Sequence, residues 1–210
     1  MDMYLLFTRI SGKTGSWARK KEDRSFIRRE AAQGDKGTGI LQEGSVKPID
    51  PDKYFEQVIS SFPGVQPVEN EDMTILEETK FRIQWMNSIK FNSFIAYTDS
   101  LDSQTLSGYV SRCFYLQKKT RNMMVNPIAC YAVVICDNAD RKAVDIARMQ
   151  PKLHMTMDMF PVVVDLKNAE IHYYTGPMFL RLLYNRYERE YIDEHFGKPL
   201  RDLSGQLLLE

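Results

Sequence analysis

The longest uninterrupted apolar stretch of the chain spans residues 128–136 and stops abruptly at Asp137. It is rich in β-branched and aromatic side chains, and Pro127 precedes it. A run of this length and composition, bounded by a proline and an acid, predicts a strand that is buried on both faces. Because amphipathic helical patterns lie on both sides of it, we expect this strand at the centre of an α/β sheet.

Upstream of this strand, the apolar positions change from helical spacing to alternation and back. Residues 50–62 show helical spacing, with an aspartate suited to the N-cap and a proline at the first helical position. Residues 74–98 mostly alternate between apolar and polar, with a polar break at 87–88, which predicts a β-hairpin. Helical spacing returns at about 102–119, where one face is apolar and the last turn is basic.

Downstream of the central strand, the same two patterns predict a helix at about 139–149, a strand at 160–166 and its hairpin partner at 170–174. A last helix is expected to begin at Pro177 and to end at 197–199, a segment that contains a glycine and a proline. Crossover helices imply parallel strands at the centre, and hairpins imply antiparallel edges. The predicted fold is therefore a three-layer α/β fold, a mixed sheet with helices on both faces.

Composition divides the chain into three segments. Residues 1–46 mix charged runs with glycine-rich stretches, which predicts a flexible charged arm and linker. Residues 47–200 are expected to form the compact α/β domain, and 201–210 a C-terminal tail. A hydrophobic content of 43% and a charged content of 27% are typical of a globular protein.

Charge and cysteine content narrow the choice of environment and partner. The 28 basic and 28 acidic residues cancel, so the whole chain has no electrostatic bias toward nucleic acid or an anionic membrane. No stretch approaches the ~18 apolar residues of a membrane helix, so we expect no membrane association and a cytoplasmic location. Cys113, Cys130 and Cys136 lack metal-like spacing and are expected to be reduced core thiols.

Two acidic loops follow predicted strands at the points where the strands end. One begins at Asp99 and the other at Asp137, and each has a second aspartate three residues later, at Asp102 and Asp140. If the two strands are parallel neighbours, Asp99 and Asp137 lie side by side at the sheet edge where α/β proteins bind ligands. These two would then be candidate Mg²⁺ ligands, and all four would be candidate catalytic residues. N-capping of the following helices explains the same residues, and we favour that interpretation.

The three histidines offer little further chemistry, because no two of them are spaced as metal ligands. His154 lies among alternating methionines that suit either an adaptable binding surface or the margin of a core. His172 fits an exposed strand position, and His195 fits a partner for the negative end of a helix dipole. No nucleophile elbow, dinucleotide-binding glycine motif or Cys-x-x-Cys pair occurs in the chain.

The order of elements from about residue 51 to 136 is similar to the core of restriction-endonuclease-like nucleases. That resemblance implies a helix, antiparallel strands, a crossover helix and a further strand. It also implies an acid on the second strand and Glu-x-Lys on the third, which together hold a metal ion and its water. Here the third strand has Ala96 and Thr98 where glutamate and lysine are expected, so the resemblance implies the topology without the catalytic motif.

Three functional hypotheses follow. The first is a non-catalytic module that binds a protein partner or associates with itself, since tyrosine and methionine are plentiful and both are enriched at interfaces. The second is a divalent-metal-dependent enzyme, nuclease-like or phosphoryl-transferring, at the acidic loops. The third is nucleic-acid binding through basic residues in the arm at 17–29. Apart from Mg²⁺ under the second hypothesis, the sequence predicts no cofactor.

Overall fold

The structure is a computed structural model, and it describes residues 48–82, 87–120, 128–151, 153–154, 157–176 and 182–207. The predicted arm and linker at 1–46 lie outside the described residues. Nucleic-acid binding through residues 17–29 therefore stays a prediction.

Strands and helices alternate along most of the described chain. The strands are β1 (Val68–Asn70), β2 (Met73–Arg82), β3 (Asn87–Leu101), β4 (Ile128–Ala139), β5 (Leu153–His154), β6 (Met157–Asp165) and β7 (Glu170–His172). The helices are α1 (Pro51–Ser60), α2 (Ser103–Thr120), α3 (Arg141–Arg148), α4 (Leu182–Ile192) and α5 (Lys198–Leu207). A π-helical turn, Asp193–Gly197, joins α4 to α5.

All the described strands belong to one mixed sheet with the order β1-β2-β3-β4-β6. Strands β1, β2 and β3 form an antiparallel meander, while β3, β4 and β6 run parallel. The short strands β5 and β7 both pair antiparallel with β6, near its two ends. The predicted mixed sheet, its parallel centre and its antiparallel edges are confirmed.

Helices cover both faces of this sheet, which confirms the three-layer α/β fold. On one face, called the front face, α1, α4 and α5 pack over a large apolar cluster; its central-strand members are Ala129, Tyr131, Val133 and Ile135. On the other, the back face, α2 and α3 pack over two smaller clusters. Both crossover helices lie on the back face, as connections of one hand require when strands are added in one direction.

The central strand has the burial that its apolar run predicts. Ala132, Val133 and Ile135 have no exposed surface, and Val134 is 3% exposed. The alternation of a strand sends Val133 and Ile135 to the front face, and Ala132 and Val134 to the back face. A continuous apolar sequence is therefore needed here, because helices cover both sides of β4.

Strand β1 lies between the first helix and the first strand that the sequence predicts. A two-residue turn, Glu71 and Asp72, folds it back onto β2, and Glu71 has a φ of 54°, in the left-handed region. Only three residues pair in this hairpin, too few for an alternating pattern to be visible. The sequence did not predict this strand because, in addition, the turn has no glycine to signal it.

The C-terminal helical region also differs from its prediction. The chain does not stop at Gly197 and Pro199 but passes through the π-helical turn into α5. Pro199 is tolerated because it lies in the first turn of α5, where a backbone N–H needs no helical partner. The predicted tail begins inside α5, and Leu203 of that helix packs in the front cluster. The packed region therefore extends beyond residue 200.

Candidate functional site

The carboxyl ends of β3 and β4 bring two of the predicted site residues together. Thr98 pairs with Cys136, so the residues that follow them, Asp99 and Asp137, lie level on neighbouring parallel strands. Tyr97 and Ile135, which lie two residues earlier on the same strands, belong to the front cluster. The structure therefore places these two aspartates level with each other on neighbouring strands.

Asp137 already has a partner within the protein. The hydroxyl of Tyr97 on β3 donates to Asp137 Oδ2 at 2.7 Å. The next strand ends in Asp165, which is 2% exposed and accepts from the backbone N–H of Asn168 at 3.0 Å. The side-chain amide of Asn168 donates to the same carboxylate at 2.9 Å. These hydrogen bonds give the carboxylates of Asp137 and Asp165 partners within the protein, without a bound ion.

The other two predicted aspartates are N-caps. Asp102 Oδ1 accepts from the backbone N–H of Thr105 at 2.7 Å, and this bond holds the pKa of Asp102 below its ordinary value. Asp140 Oδ1 accepts from the backbone N–H of Ala143 at 2.5 Å, at the start of α3. Among the described residues, no three His, Cys, Asp or Glu side chains are grouped to hold a metal ion. Mg²⁺ binding at Asp99 and Asp137 stays a prediction.

A second polar cluster lies under the front helices, around His195 in the π-helical turn. The imidazole is only 1% exposed, stacks on Phe62 with ring centroids 4.0 Å apart, and meets Tyr191 edge-on at 4.6 Å. From its position in the sequence, this histidine is predicted at a helix end as a dipole partner. That prediction was wrong, because the helical region continues past His195 and buries it.

Two hydrogen bonds determine the tautomer of His195. The ammonium of Lys80, on β2, lies 3.2 Å from Nε2. Because an ammonium only donates, Nε2 accepts and Nδ1 carries the proton. Nδ1 then donates to Ser61 Oγ at 3.0 Å, and Ser61 donates its own proton to the carbonyl of Val58 at 2.7 Å. This arrangement does not activate Ser61 as a nucleophile, because the nearby imidazole nitrogen is not a base.

Burial, and then the ammonium of Lys80, keeps His195 neutral. Burial and then the Lys80 ammonium lower its pKa to about 4, against a weaker opposite effect of Glu194. The ammonium lies 3.3 Å from both Glu78 Oε2 and Glu194 Oε2. Glu78 Oε2 is buried, and no described residue forms a hydrogen bond with it. Glu78 and Lys80 are on one strand two residues apart, so alternation was a signal that they share a face.

The Glu-x-Lys order that the resemblance implies for the third strand occurs instead at Glu78 and Lys80 on β2. There the lysine contacts an imidazole. The resemblance therefore still concerns topology alone, and the motif on β3 is absent as the sequence indicated.

Most of the outer edge of β2 has no partner among the described strands. Strand β1 covers it only from Met73 to Ile75, and no described strand pairs with the edge at residues 76–82. Met73 closes a two-residue hairpin with Asn70, so these two form a hydrogen-bonded pair. By alternation, every second residue after Met73 also directs its backbone N–H and C=O outward. Beyond β1, these residues are Glu77, Thr79 and Phe81.

Two comparisons with known proteins found no match. No protein-family model matches the chain, and a search of curated proteins finds no match. Among the described helices, none combines the length and the apolar character that crossing a membrane requires.

Proposed function

We propose that this domain is a non-catalytic protein-interaction module that binds by strand addition at the outer edge of β2. The observation that carries the proposal is the stretch at 76–82, which no described strand covers. An added strand would satisfy the outward backbone groups of Glu77, Thr79 and Phe81, as extended ligands do at open sheet edges in β-augmentation.

The edge is suited to a specific ligand. It contains neither proline nor glycine, so its backbone donors are complete and its strand geometry is regular. Glu77 and Thr79 are exposed on the back face. On the front face, Lys80 is held by His195 and Glu194, which keeps this part of the strand in place before a ligand arrives.

The described reactive groups support a non-catalytic role. Burial raises the pKa of the Cys113 thiol and of the Cys136 thiol to about 12 in each case, so neither is a thiolate near neutral pH. Ser61 lacks a base at its hydroxyl, and Asp102 and Asp140 serve as helix caps. Chemistry at Asp99 and Asp137 is the alternative to be tested.

A peptide selection tests strand addition directly. A display library of random peptides would be selected against the full chain, and binders would be measured against two variants of Thr79. Thr79→Pro removes an outward N–H and leaves the inward bonds to β3, so it should weaken binding at least about tenfold, which equals 1.4 kcal/mol. Thr79→Val keeps the N–H and the β-branched shape, so binding should stay close to the original.

Circular dichroism and thermal unfolding would establish that both variants are folded. The proposal is overturned if the selection yields no binders and the chain does not pair with itself through this edge, or if every binder tolerates Thr79→Pro as well as Thr79→Val. In the second case the peptides would be using another surface of the domain.

A second candidate function is divalent-metal-dependent phosphoryl transfer, nuclease-like in its chemistry, and the level position of Asp99 and Asp137 favours it. Mg²⁺ or Mn²⁺ held there should raise the unfolding temperature. Asp137→Ala should abolish that rise, and the exposed Asp145→Ala on α3, which removes the same charge, should not. This candidate fails if neither ion stabilises the chain.

A further inference from the structure

We infer that the strand received by the β2 edge is the same edge of a second copy of this chain, paired antiparallel about Thr79. The inference rests on the proposed function and names its partner. Two copies related by a two-fold axis through Thr79, perpendicular to the sheet, would join their sheets into one.

The directions of the backbone N–H and C=O groups along β2 permit this arrangement. In an antiparallel pair, residues that direct N–H and C=O outward must face residues that do the same. Centring on Thr79 sets Thr79 against Thr79 and Glu77 against Phe81 of the partner copy, and all of these have outward groups. Glu78 then faces Lys80 of the partner copy in a non-hydrogen-bonded pair, where side chains approach most closely.

The charges on β2 favour this pairing register over the two registers that are shifted by one residue. With Thr79 at the centre, each Glu78 faces a Lys80, so the interface contains two opposite-charge pairs. Moving the centre by one residue in one direction sets Glu78 against Glu78, and moving it in the other sets Lys80 against Lys80. Like charges directly opposite destabilise a sheet, so both neighbouring registers are disfavoured. Charged edges usually prevent pairing, but this sequence leaves one register open.

The same pairing would satisfy a group that the described residues leave without a hydrogen bond. Glu78 Oε2 is buried, and the ammonium of Lys80 on its own strand, although only 3.3 Å away, does not form a hydrogen bond with it. Lys80 of the partner copy would bring a second ammonium to this carboxylate. The side chains of Glu78 and Lys80 are 18% and 22% exposed, so neither needs much desolvation to pair.

A two-fold pairing of this kind is closed. Each copy uses the part of the β2 edge that no described strand covers, and the same residues contact one another from both sides, so the product is a dimer rather than a fibre. Short β1 lies beyond the paired segment and does not overlap it, because it covers only residues up to Ile75.

The test is sedimentation equilibrium of the full chain over a series of concentrations. We expect a dimer for the unaltered chain and for Thr79→Val, and a monomer for Thr79→Pro. Lys80→Glu sets like charges opposite each other twice in the dimer, so it should weaken dimerisation about tenfold or more. Glu78→Lys should do the same, and the double variant with both changes should recover most of the loss because it restores both pairs.

Thermal unfolding of each variant would separate a loss of pairing from a loss of folding. If a charge variant does not fold, the two Thr79 variants still decide the matter. A chain that is monomeric at every concentration, or a dimer that persists in Thr79→Pro, overturns the inference. In either case, selected peptides that lose binding in Thr79→Pro would leave the proposed function standing, since the edge would then receive a different strand.

Discussion

The hydroxyl of Tyr54 in α1 donates a 2.9 Å hydrogen bond to the carbonyl oxygen of Phe196, 142 residues further along the chain. Both residues are fully buried. The π-helical turn that contains Phe196 departs from the regular bonding of the helices beside it, and its carbonyl groups find other partners here. This bond therefore joins the first described helix to the last helical region across the front of the sheet.

Removing that hydroxyl should destabilise the domain. Tyr54→Phe keeps the ring and leaves the Phe196 carbonyl buried without its donor, so unfolding should become easier by about 1–3 kcal/mol. Urea denaturation measures the difference. Tyr115→Phe, on a side chain that is 56% exposed, is the matched control and should change little. Equal effects of the two substitutions would contradict the assigned role of Tyr54.

Stability should fall on acidification because His195 resists protonation. Its pKa is about 4 in the folded protein against 6.5 without the fold, so between these values the unfolded chain binds a proton that the folded chain does not. The contribution of His195 to stability is then fully present above pH 6.5 and decreases as the pH falls toward 4. For one such group the slope reaches at most about 1.4 kcal/mol per pH unit.

A substitution isolates this contribution. His195→Gln removes the titrating ring and should flatten the stability profile between pH 6.5 and 4, measured by denaturant unfolding at each pH. His172→Gln is the comparison, because burial and Arg148 also lower the pKa of His172. This side chain is only 5% exposed, although its strand position suggested an exposed side chain. A profile that His195→Gln leaves as steep as before would show that other groups produce the acid sensitivity.

Helix α5 should contribute substantially to stability. Leu203 is 8% exposed and packs in the front cluster, so Leu203→Ala should cost roughly 2–4 kcal/mol by removing apolar contacts and leaving a cavity. Asp202→Ala changes an exposed neighbour on the same helix and should have an effect within about 0.5 kcal/mol. If both variants unfold at the same denaturant concentration, α5 does not pack as described.

The cysteines should be unreactive while the protein is folded. All three thiols are free and buried, and burial raises the pKa of Cys113 and of Cys136 to about 12. A thiol reagent such as an aromatic disulfide should therefore modify none of them at pH 8 until denaturant unfolds the chain, after which all should react. Fast labelling of the folded protein, followed by absorbance, would place a thiol at the surface.

Elements with a long and regular pattern were predicted well. The central strand, the hairpin of β2 and β3, and the crossover helix α2 were identified, because burial on one or both faces produces a regular spacing over many consecutive residues. The break predicted at 87–88 was wrong, since these two residues begin β3 and pair with residues 81–82 of β2. Strand β1 was missed because three pairing residues are too few to show a period. The helix end was misplaced because Gly197 and Pro199 signal a stop that the π-helical turn overrides.

One of the two candidate sites could be predicted from the sequence and the other could not. The level position of Asp99 and Asp137 was expected, since it depends only on two strands being parallel neighbours and ending at similar places. The cluster around His195 was not expected, because Ser61 and Lys80 lie 134 and 115 residues away from it in the chain. No local pattern connects residues at such separations.

By itself, the amino-acid sequence determined the longer elements, their faces and the class of fold, because apolar side chains must be buried and their spacing follows the geometry of helix and strand. Only the tertiary structure decided which distant polar groups meet and which edge no described strand covers. Those outcomes depend on how distant elements pack, and the free energy of a contact such as that of Lys80 with His195 exists only after the sheet and its helices have brought them together.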